Sequence, residues 1–491
     1  MRSRFLVALC LALAGVSGLS GLSAVSRLFD ARLSAQPLPA LSPAVRAFVS
    51  VDAPVVALTH VRVIDGTGAP AKADQTLIIR DGLIAAVGDA ATTVVPAGAR
   101  VLDLTGRTVL PGFVMLHEHM FYPAGQGAYN EMVYSFPRLY LAGGATTIRT
   151  AGSMVPYADL NLKKWIDEGR IPGPEMDVTG PYLEGPGLPI AAVKELKDAN
   201  DARRMVDWWA DEGATSFKAY MHITRAELGA AIQEAHKRGF KLTGHLCSVT
   251  FSEAADLGID DLEHGLVVST DFVPDKQPDV CPPQSEVQAS LVKLDIAGPA
   301  AQALIHKLVA HHVALTSTLT VFETFVPGRP PASERALDAM VSEARDMYLR
   351  QRVRIAVDTA SPWTILFKKE MEFEHAFAEA GGLLVSGTDP TGYGGVVAGF
   401  SNQREVELLV EAGFTPLQAI EIATLNGARY LGRENRIGSI ADGKQADLIV
   451  VQGDPSTKIS DIEHVETVFK DGIGYDSQKL IAATLGTVGL R

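Results

Sequence analysis

The chain has 491 residues, 47% of them hydrophobic, with 45 glycines and a formal net charge of −13. That length exceeds one small domain and suits a large barrel plus a second unit. The acidic balance and the lack of a Lys/Arg run argue against nucleic acid as a partner, and three cysteines are too few for a disulfide-built scaffold.

Residues 1–35 read as a signal peptide and leader. Arg2 and Arg4 open it, residues 5–16 form an uncharged apolar core, and small residues follow, with cleavage sites near Ala24 or Ala35. The core is too short for a membrane span, and no later stretch reaches the ~18 uninterrupted apolar residues that one needs. The expectation is an exported protein, periplasmic or secreted, with no membrane association once processed. Cys10 lies in this leader, which leaves Cys247 and Cys281 with room for one disulfide. Residues 36–53, rich in Pro, Ala and Ser, read as a loose lead-in.

Short alternating strands follow at 55–65, 75–80, 83–88 and 101–104, with Asp81-Gly82 as a hairpin turn. The pattern returns at 437–440, 446–451 and 465–470, again with an Asp-Gly turn at Asp471-Gly472. Residues 54–110 and 432–480 therefore predict one small β-sandwich built from both chain ends, with residues 111–431 inserted between them.

That insert alternates helical stretches with short apolar strands. The first strand is the end of Val109-Leu-Pro-Gly-Phe-Val-Met-Leu-His-Glu-His119. Seven more follow at 145–150, 176–180, 214–219, 241–246, 260–264, 313–317 and 382–389. Eight parallel strands with intervening helices predict an α/β fold, a (β/α)8 barrel of the TIM type. Helix signals agree. Thr224-Arg-Ala-Glu227 and Thr415-Pro-Leu-Gln418 are capping boxes, Gly239 is a stop, and residues 334–381 read as a longer helical insertion.

In such a barrel the chemistry gathers at the carboxyl ends of the strands. Residues two apart on a strand face one side, so His117 and His119 point together. Imidazoles are neutral ligands for a divalent metal. Lys218 ends the fourth strand, His245 the fifth, His264 the sixth and Asp389 the eighth. All would converge on one cavity. His306, His311, His312, His236 and His375 fall on helix patterns or their ends, and His60 and His464 fall in the β segments, so all seven read as structural.

These motifs resemble the amidohydrolase superfamily, in its binuclear branch, and within it the imidazolonepropionase-like and prolidase-like (Xaa-Pro dipeptidase-like) group. They are Pro111-Gly-Phe-Val-Met-Leu-His-Glu-His119, Phe217-Lys218-Ala-Tyr220, Thr243-Gly-His245, Leu262-Glu-His264-Gly265, Ser386-Gly-Thr-Asp389-Pro390 and Gly443-Lys-Gln-Ala-Asp-Leu-Ile-Val450. The resemblance implies a metal-dependent hydrolase with two divalent ions, zinc first among them. His117, His119 and Asp389 would hold one ion and His245 and His264 the other. A carbamate on Lys218 would bridge the two. The ions would share a water, ~3.5–4 Å separating them, and lower its pKa. Asp389 would carry its proton to the leaving nitrogen.

Tyr220 and His222 are candidates to stabilise the oxyanion. The implied substrate is a small molecule, an amide next to a free carboxylate such as a dipeptide or an N-acyl amino acid, with Arg149 as the cation for that carboxylate. Residues 270–290 and 322–333 would shape the pocket. The resemblance also implies a homo-oligomer. Alternative readings are a one-metal deaminase or imidazolone-type cyclic amidohydrolase, or a lactonase or phosphotriesterase on the same centre.

Overall fold

A computed structural model describes residues 40–125 and 127–490. The leader expected at 1–35 lies outside the described residues.

Eight short parallel strands carry the centre of the fold: β1 (Phe113–Glu118), β2 (Ala145–Thr150), β3 (Glu175–Asp177), β4 (Ser216–Ala219), β5 (Lys241–Gly244), β6 (Asp261–Glu263), β7 (Ala314–Ser317) and β8 (Leu384–Ser386). They pair in chain order as a three-stranded and a five-stranded sheet. Backbone bonds join the two groups. Thr215 N donates to Val178 O at 2.9 Å and Gly180 N to Ser216 O at 3.0 Å, linking the end of β3 to β4. Thr388 N and Asp389 N donate to His117 O at 3.1 and 3.0 Å, linking the end of β8 to β1. The ring is TIM-barrel-like. A side chain on Gly387 would meet the backbone nitrogen of His117 at 2.5 Å, so only glycine lets β8 approach β1 this closely.

The 109–119 run spans two strands. Arg107–Pro111 belongs to the flanking sheet and β1 to the barrel. The break falls at Gly112, where any side chain would overlap Thr146.

Both ends of the described chain enter a nine-stranded sheet with its own apolar core, including Val56, Leu58, Leu77, Ile79, Leu448 and Phe469. It forms one connected sheet, in the order Val49–Val51, Ile473–Asp476, Val465–Lys470, Leu448–Gln452, Arg107–Pro111, Val55–Val63, Lys72–Arg80, Leu83–Asp89. Arg100–Asp103 also pairs with Val55–Val63, which gives the sheet a branch. Two expectations are corrected. The lead-in before residue 54 contains a short helix, Pro43–Arg46, and an edge strand, while residues 437–440 form bends instead of a strand. A hairpin of Phe121–Gly125 and Ala128–Glu131 after β1 is an addition that the sequence pattern did not suggest.

The helix signals correspond to helices. Arg225–Lys237 begins at the Thr224/Glu227 capping box and Pro416–Glu421 at the Thr415/Gln418 box. The insertion before β8 is three helices: Glu334–Ala339, Ser342–Ala356 and Trp363–Glu379. Cys247 and Cys281 form a disulfide that ties the loop after β6 to the end of β5.

A candidate metal centre above a salt-bridged floor

His117 is the fifth residue of β1; His119, His245, His264 and Asp389 lie just past the ends of their strands. His264 and Asp389 leave their strands through left-handed backbone, with φ of 69° and 51°. Such a conformation turns each side chain back over the barrel mouth at a cost in strain.

His117, His119 and Asp389 form a tight cluster, all three ligand atoms within 4.8 Å of one another. Oδ1 of Asp389 is 3.3 Å from His119 Nε2 and 3.8 Å from His117 Nε2. Its other oxygen is 3.8 Å from His264 Nε2. The opposite ring nitrogens are anchored elsewhere. Nδ1 of His117 lies 2.6 Å from Glu263 Oε2, that of His119 3.2 Å from Gly152 O, and that of His264 2.8 Å from Thr318 Oγ1. Anchoring one nitrogen on a carboxylate, carbonyl or hydroxyl orients the other, as metal-binding histidines require. The ring of His245 is 4.6 Å from that of His264, centre to centre.

Electrostatics prepare these groups as ligands. Burial, reinforced by Lys218, pushes the His117 imidazole down to about 4 against the pull of Glu263 and Asp389. Burial and Lys218 take His245 to about 3. Burial and the neighbouring His117 and His245 hold His264 well below its ordinary value. These three rings are therefore neutral at neutral pH. Burial alone would raise Asp389, yet His117, His119 and His264 outweigh it and keep the carboxylate ionised. The donor set of neutral imidazoles and one carboxylate fits a divalent transition metal such as zinc.

Lys218 is almost fully buried beside this cluster, its Nζ 3.6 Å from Glu263 Oε1. Burial lowers its pKa, partly countered by Glu263 and Asp389. A buried ammonium next to three imidazoles is a costly arrangement.

Arg149 does not reach the barrel mouth, which corrects the expectation that it meets substrate. It is fully buried beneath the histidines. Its Nη2 donates to Asp261 Oδ2 at 2.9 Å and Glu263 Oε1 at 2.8 Å, and its Nε to Leu116 O at 2.7 Å. Thr243 donates to Glu263 Oε1 at 2.6 Å and Thr316 to Asp261 at 2.9 Å. These residues form a hydrogen-bonded floor for the centre. Glu263 is the functional residue that the motif reading passed over. Burial would raise its pKa, but His117, Lys218 and Arg149 hold it well below the ordinary value. The signal was Asp261 and Glu263 two apart on one short strand, both facing inward.

Glu118, between the two histidines, faces the other way. It accepts from Thr388 Oγ1 at 2.6 Å and Asn402 Nδ2 at 2.8 Å, which fixes the turn before Asp389. Tyr220 stands against the open side of the centre, its ring 4.9 Å from His245 and 4.8 Å from Tyr182. His222 lies further out, its side chain 27% exposed with Nδ1 3.3 Å from Glu184 Oε1. Its backbone N–H donates to the same oxygen at 2.7 Å.

Residues 108–473, most of the chain, match the Amidohydrolase family. An imidazolonepropionase from Nocardia farcinica is 39% identical over 97 residues, 19% of this chain and 24% of that protein. Matches to the first curated relatives span less than a quarter of those proteins' length. Among solved structures, a Bifidobacterium longum protein described as a prolidase superposes with a TM-score of 0.63 at 25% identity, covering 88% of this chain and 98% of its own. A Xaa-Pro dipeptidase with bound methionine in its active site superposes with a TM-score of 0.63 at 19% identity, covering 86% of this chain and 100% of its own, a likeness of fold. The clustered histidines and aspartate at the strand ends, the barrel that carries them and the family match agree: this chain belongs to the amidohydrolase family, with its structural likeness on the prolidase-like side.

Proposed function

We propose that this protein is a metal-dependent hydrolase that cleaves an amide bond next to a free carboxylate, in a dipeptide or an N-acyl amino acid. The observation that carries this reading is the convergence of three histidine Nε2 atoms on Asp389, each ring anchored through its other nitrogen. His117, His119 and Asp389 would hold one divalent cation and His245 and His264 a second, with Lys218 as its carbamate reaching both. Such cations supply Lewis-acid polarisation of a carbonyl and an acidified water.

The chain's own groups do the rest. Asp389 Oδ1, ionised and turned into the cavity, takes the proton of the attacking water and returns it to the leaving nitrogen. Tyr220 presents a phenol to the side where negative charge develops on the carbonyl oxygen; burial raises its pKa, so the donor stays protonated. Glu263 holds the His117 ring in the orientation and tautomer that keep Nε2 free. With Arg149 engaged in the floor, His222, whose backbone N–H is held by Glu184, is the group on the β4 side that can meet the substrate carboxylate.

Lys218 favours two metals over the one-metal deaminase alternative. A lysine buried at that depth is accounted for when its amine is neutral and converted to an anion. The Cys247–Cys281 disulfide favours an oxidising compartment and so the exported reading. The test is turnover of a panel of dipeptides and N-acyl amino acids before and after chelation. Cleavage that disappears with the chelator and returns with zinc supports the proposal. Cleavage that survives complete metal removal overturns it.

A further inference from the structure

Three carboxyls lie wholly buried behind β7, apart from the metal centre and its floor. Glu370 and Glu374 belong to the helix Trp363–Glu379 and Glu405 to the helix Phe400–Glu411. Glu370 and Glu374 are four residues apart and so share one helix face. Along β7 the side chain of Thr316 enters the barrel to meet Asp261, so that of Ser317 turns outward to the helices. Ser317 Oγ lies 2.8 Å from Glu374 Oε2 and 2.8 Å from Glu405 Oε1. A hydroxyl has a single proton to give, so one of these carboxyls supplies a proton of its own. Oε1 of Glu374 meets no N–H or hydroxyl donor, and its side chain pairs with the Glu370 carboxyl. Two carboxyls pair only through a proton. Burial, with repulsion from Glu370 and Glu405, holds Glu374 well above the ordinary carboxylate range, so Glu374 carries that proton.

The continuous chain Glu370–Glu374–Ser317–Glu405 grips a strand-end turn at each end. Glu370 accepts from the N–H of Leu266 at 3.0 Å and of Val267 at 2.7 Å, in the turn that follows His264. Glu405 accepts from the N–H of Leu319 at 3.2 Å and of Thr320 at 2.9 Å, in the turn after β7. Thr318, in that second turn, holds Nδ1 of His264 at 2.8 Å. Thr320 Oγ1 donates to Thr388 O at 3.0 Å, one residue before Asp389. His264 leaves β6 with a φ of 69°, a backbone conformation that its surroundings must impose. The carboxyl chain therefore joins the turn that carries the His264 ring to the turn that aims it.

From this arrangement we infer that Glu374 is a positioning residue of the metal centre. Through Glu370, Ser317 and Glu405 it fixes the two turns that set the His264 ring, and with that ring the cation that His245 and His264 would hold. The inference rests on the two-metal reading of the centre and adds to it a group that touches neither metal nor substrate.

The test is titration of the metal-free protein with cobalt(II), followed by visible absorption. The wild type takes up two ions. Glu374→Leu, which fills the space without a hydrogen bond, weakens one of them about tenfold, the effect of losing an outer partner of a ligand, and leaves the other unchanged. The weakened ion is the one that His245→Ala loses. Ser317→Ala, a small truncation that cuts the same chain, gives the same selective loss and carries the test if Glu374→Leu does not fold. Glu374→Gln, whose amide can donate to Glu370 and accept from Ser317, keeps wild-type binding of both ions. Wild-type affinities in Glu374→Leu and Ser317→Ala, or equal weakening of both ions, overturn the inference and leave the hydrolase reading standing. So does a Glu374→Gln protein as weak as Glu374→Leu. A wild type that binds fewer than two cobalt ions overturns the two-metal reading, and this inference with it.

Discussion

Two polar layers are buried in the same barrel, one above the other, and they behave differently. In the lower layer Arg149, Asp261, Glu263, Thr243 and Thr316 pair donors with acceptors at 2.6–3.1 Å, and among these residues Nη1 of Arg149 alone is left without a hydrogen bond. In the upper layer His117, His119, His264 and Asp389 turn acceptor atoms toward one another at 3.3–3.8 Å. Buried polar groups that satisfy each other need nothing more. Acceptors that face each other across a gap call for a cation to sit between them. Burial and charge alone do not separate a structural ion pair from a ligand site; the pairing of donors with acceptors does.

The comparison can be broken from the top layer down. Asp389→Asn keeps the fold and loses about 1,000-fold in kcat/KM, because the proton carrier is gone; circular dichroism with steady-state kinetics checks it, and near-normal activity would place the proton transfer elsewhere. Arg149→Met leaves Asp261 and Glu263 with uncompensated buried charge and costs about 3–5 kcal/mol of stability, read by denaturant unfolding. A higher KM at unchanged stability would return Arg149 to the substrate. Glu263→Gln joins the two layers: it loosens His117 and lowers metal affinity about 10–100-fold, measured by competition with a chelator.

The smallest effect lies outside both layers. Glu374 and Glu405 share the Ser317 hydroxyl at 2.8 Å each behind β7, and burial raises Glu405 from 4.5 to about 7. A carboxyl raised on folding binds more protons in the native state, so its stabilisation is complete below 4.5 and is lost as pH rises through about 7. Unfolding free energy measured from pH 5 to 8 therefore falls, and Glu405→Gln flattens the slope. A slope that Glu405→Gln leaves unchanged removes Glu405 from the account.

Much of the upper layer was legible because its signal is local. His-x-His sits at a strand end, and a carboxylate ends Ser386-Gly-Thr-Asp389. The eight strands were legible from apolar runs, though most are shorter than their sequence patterns; β5, β6 and β8 stop early because His245, His264 and Asp389 occupy the turn beyond the strand. The lower layer was legible only as the local pair Asp261 and Glu263, two apart on one strand. Arg149 meets Asp261 and Glu263 across 112 and 114 residues, and no local pattern announces such a pairing. The break at Gly112 was hidden too, because the run on both sides is uniformly apolar and the reason for the glycine is the nearby Thr146. The hairpin after β1 and the helix Ser342–Ala356 line one cavity although they lie far apart in the chain, a juxtaposition that belongs to the tertiary fold.

The most direct measurement is the metal content per chain of the purified protein, by elemental mass spectrometry, for the wild type and for Lys218→Ala. The expected result is two divalent ions per wild-type chain, with amide cleavage, and the loss of at least one ion together with activity in the variant. One ion or none in an active wild type, or two ions and full activity in Lys218→Ala, would contradict it.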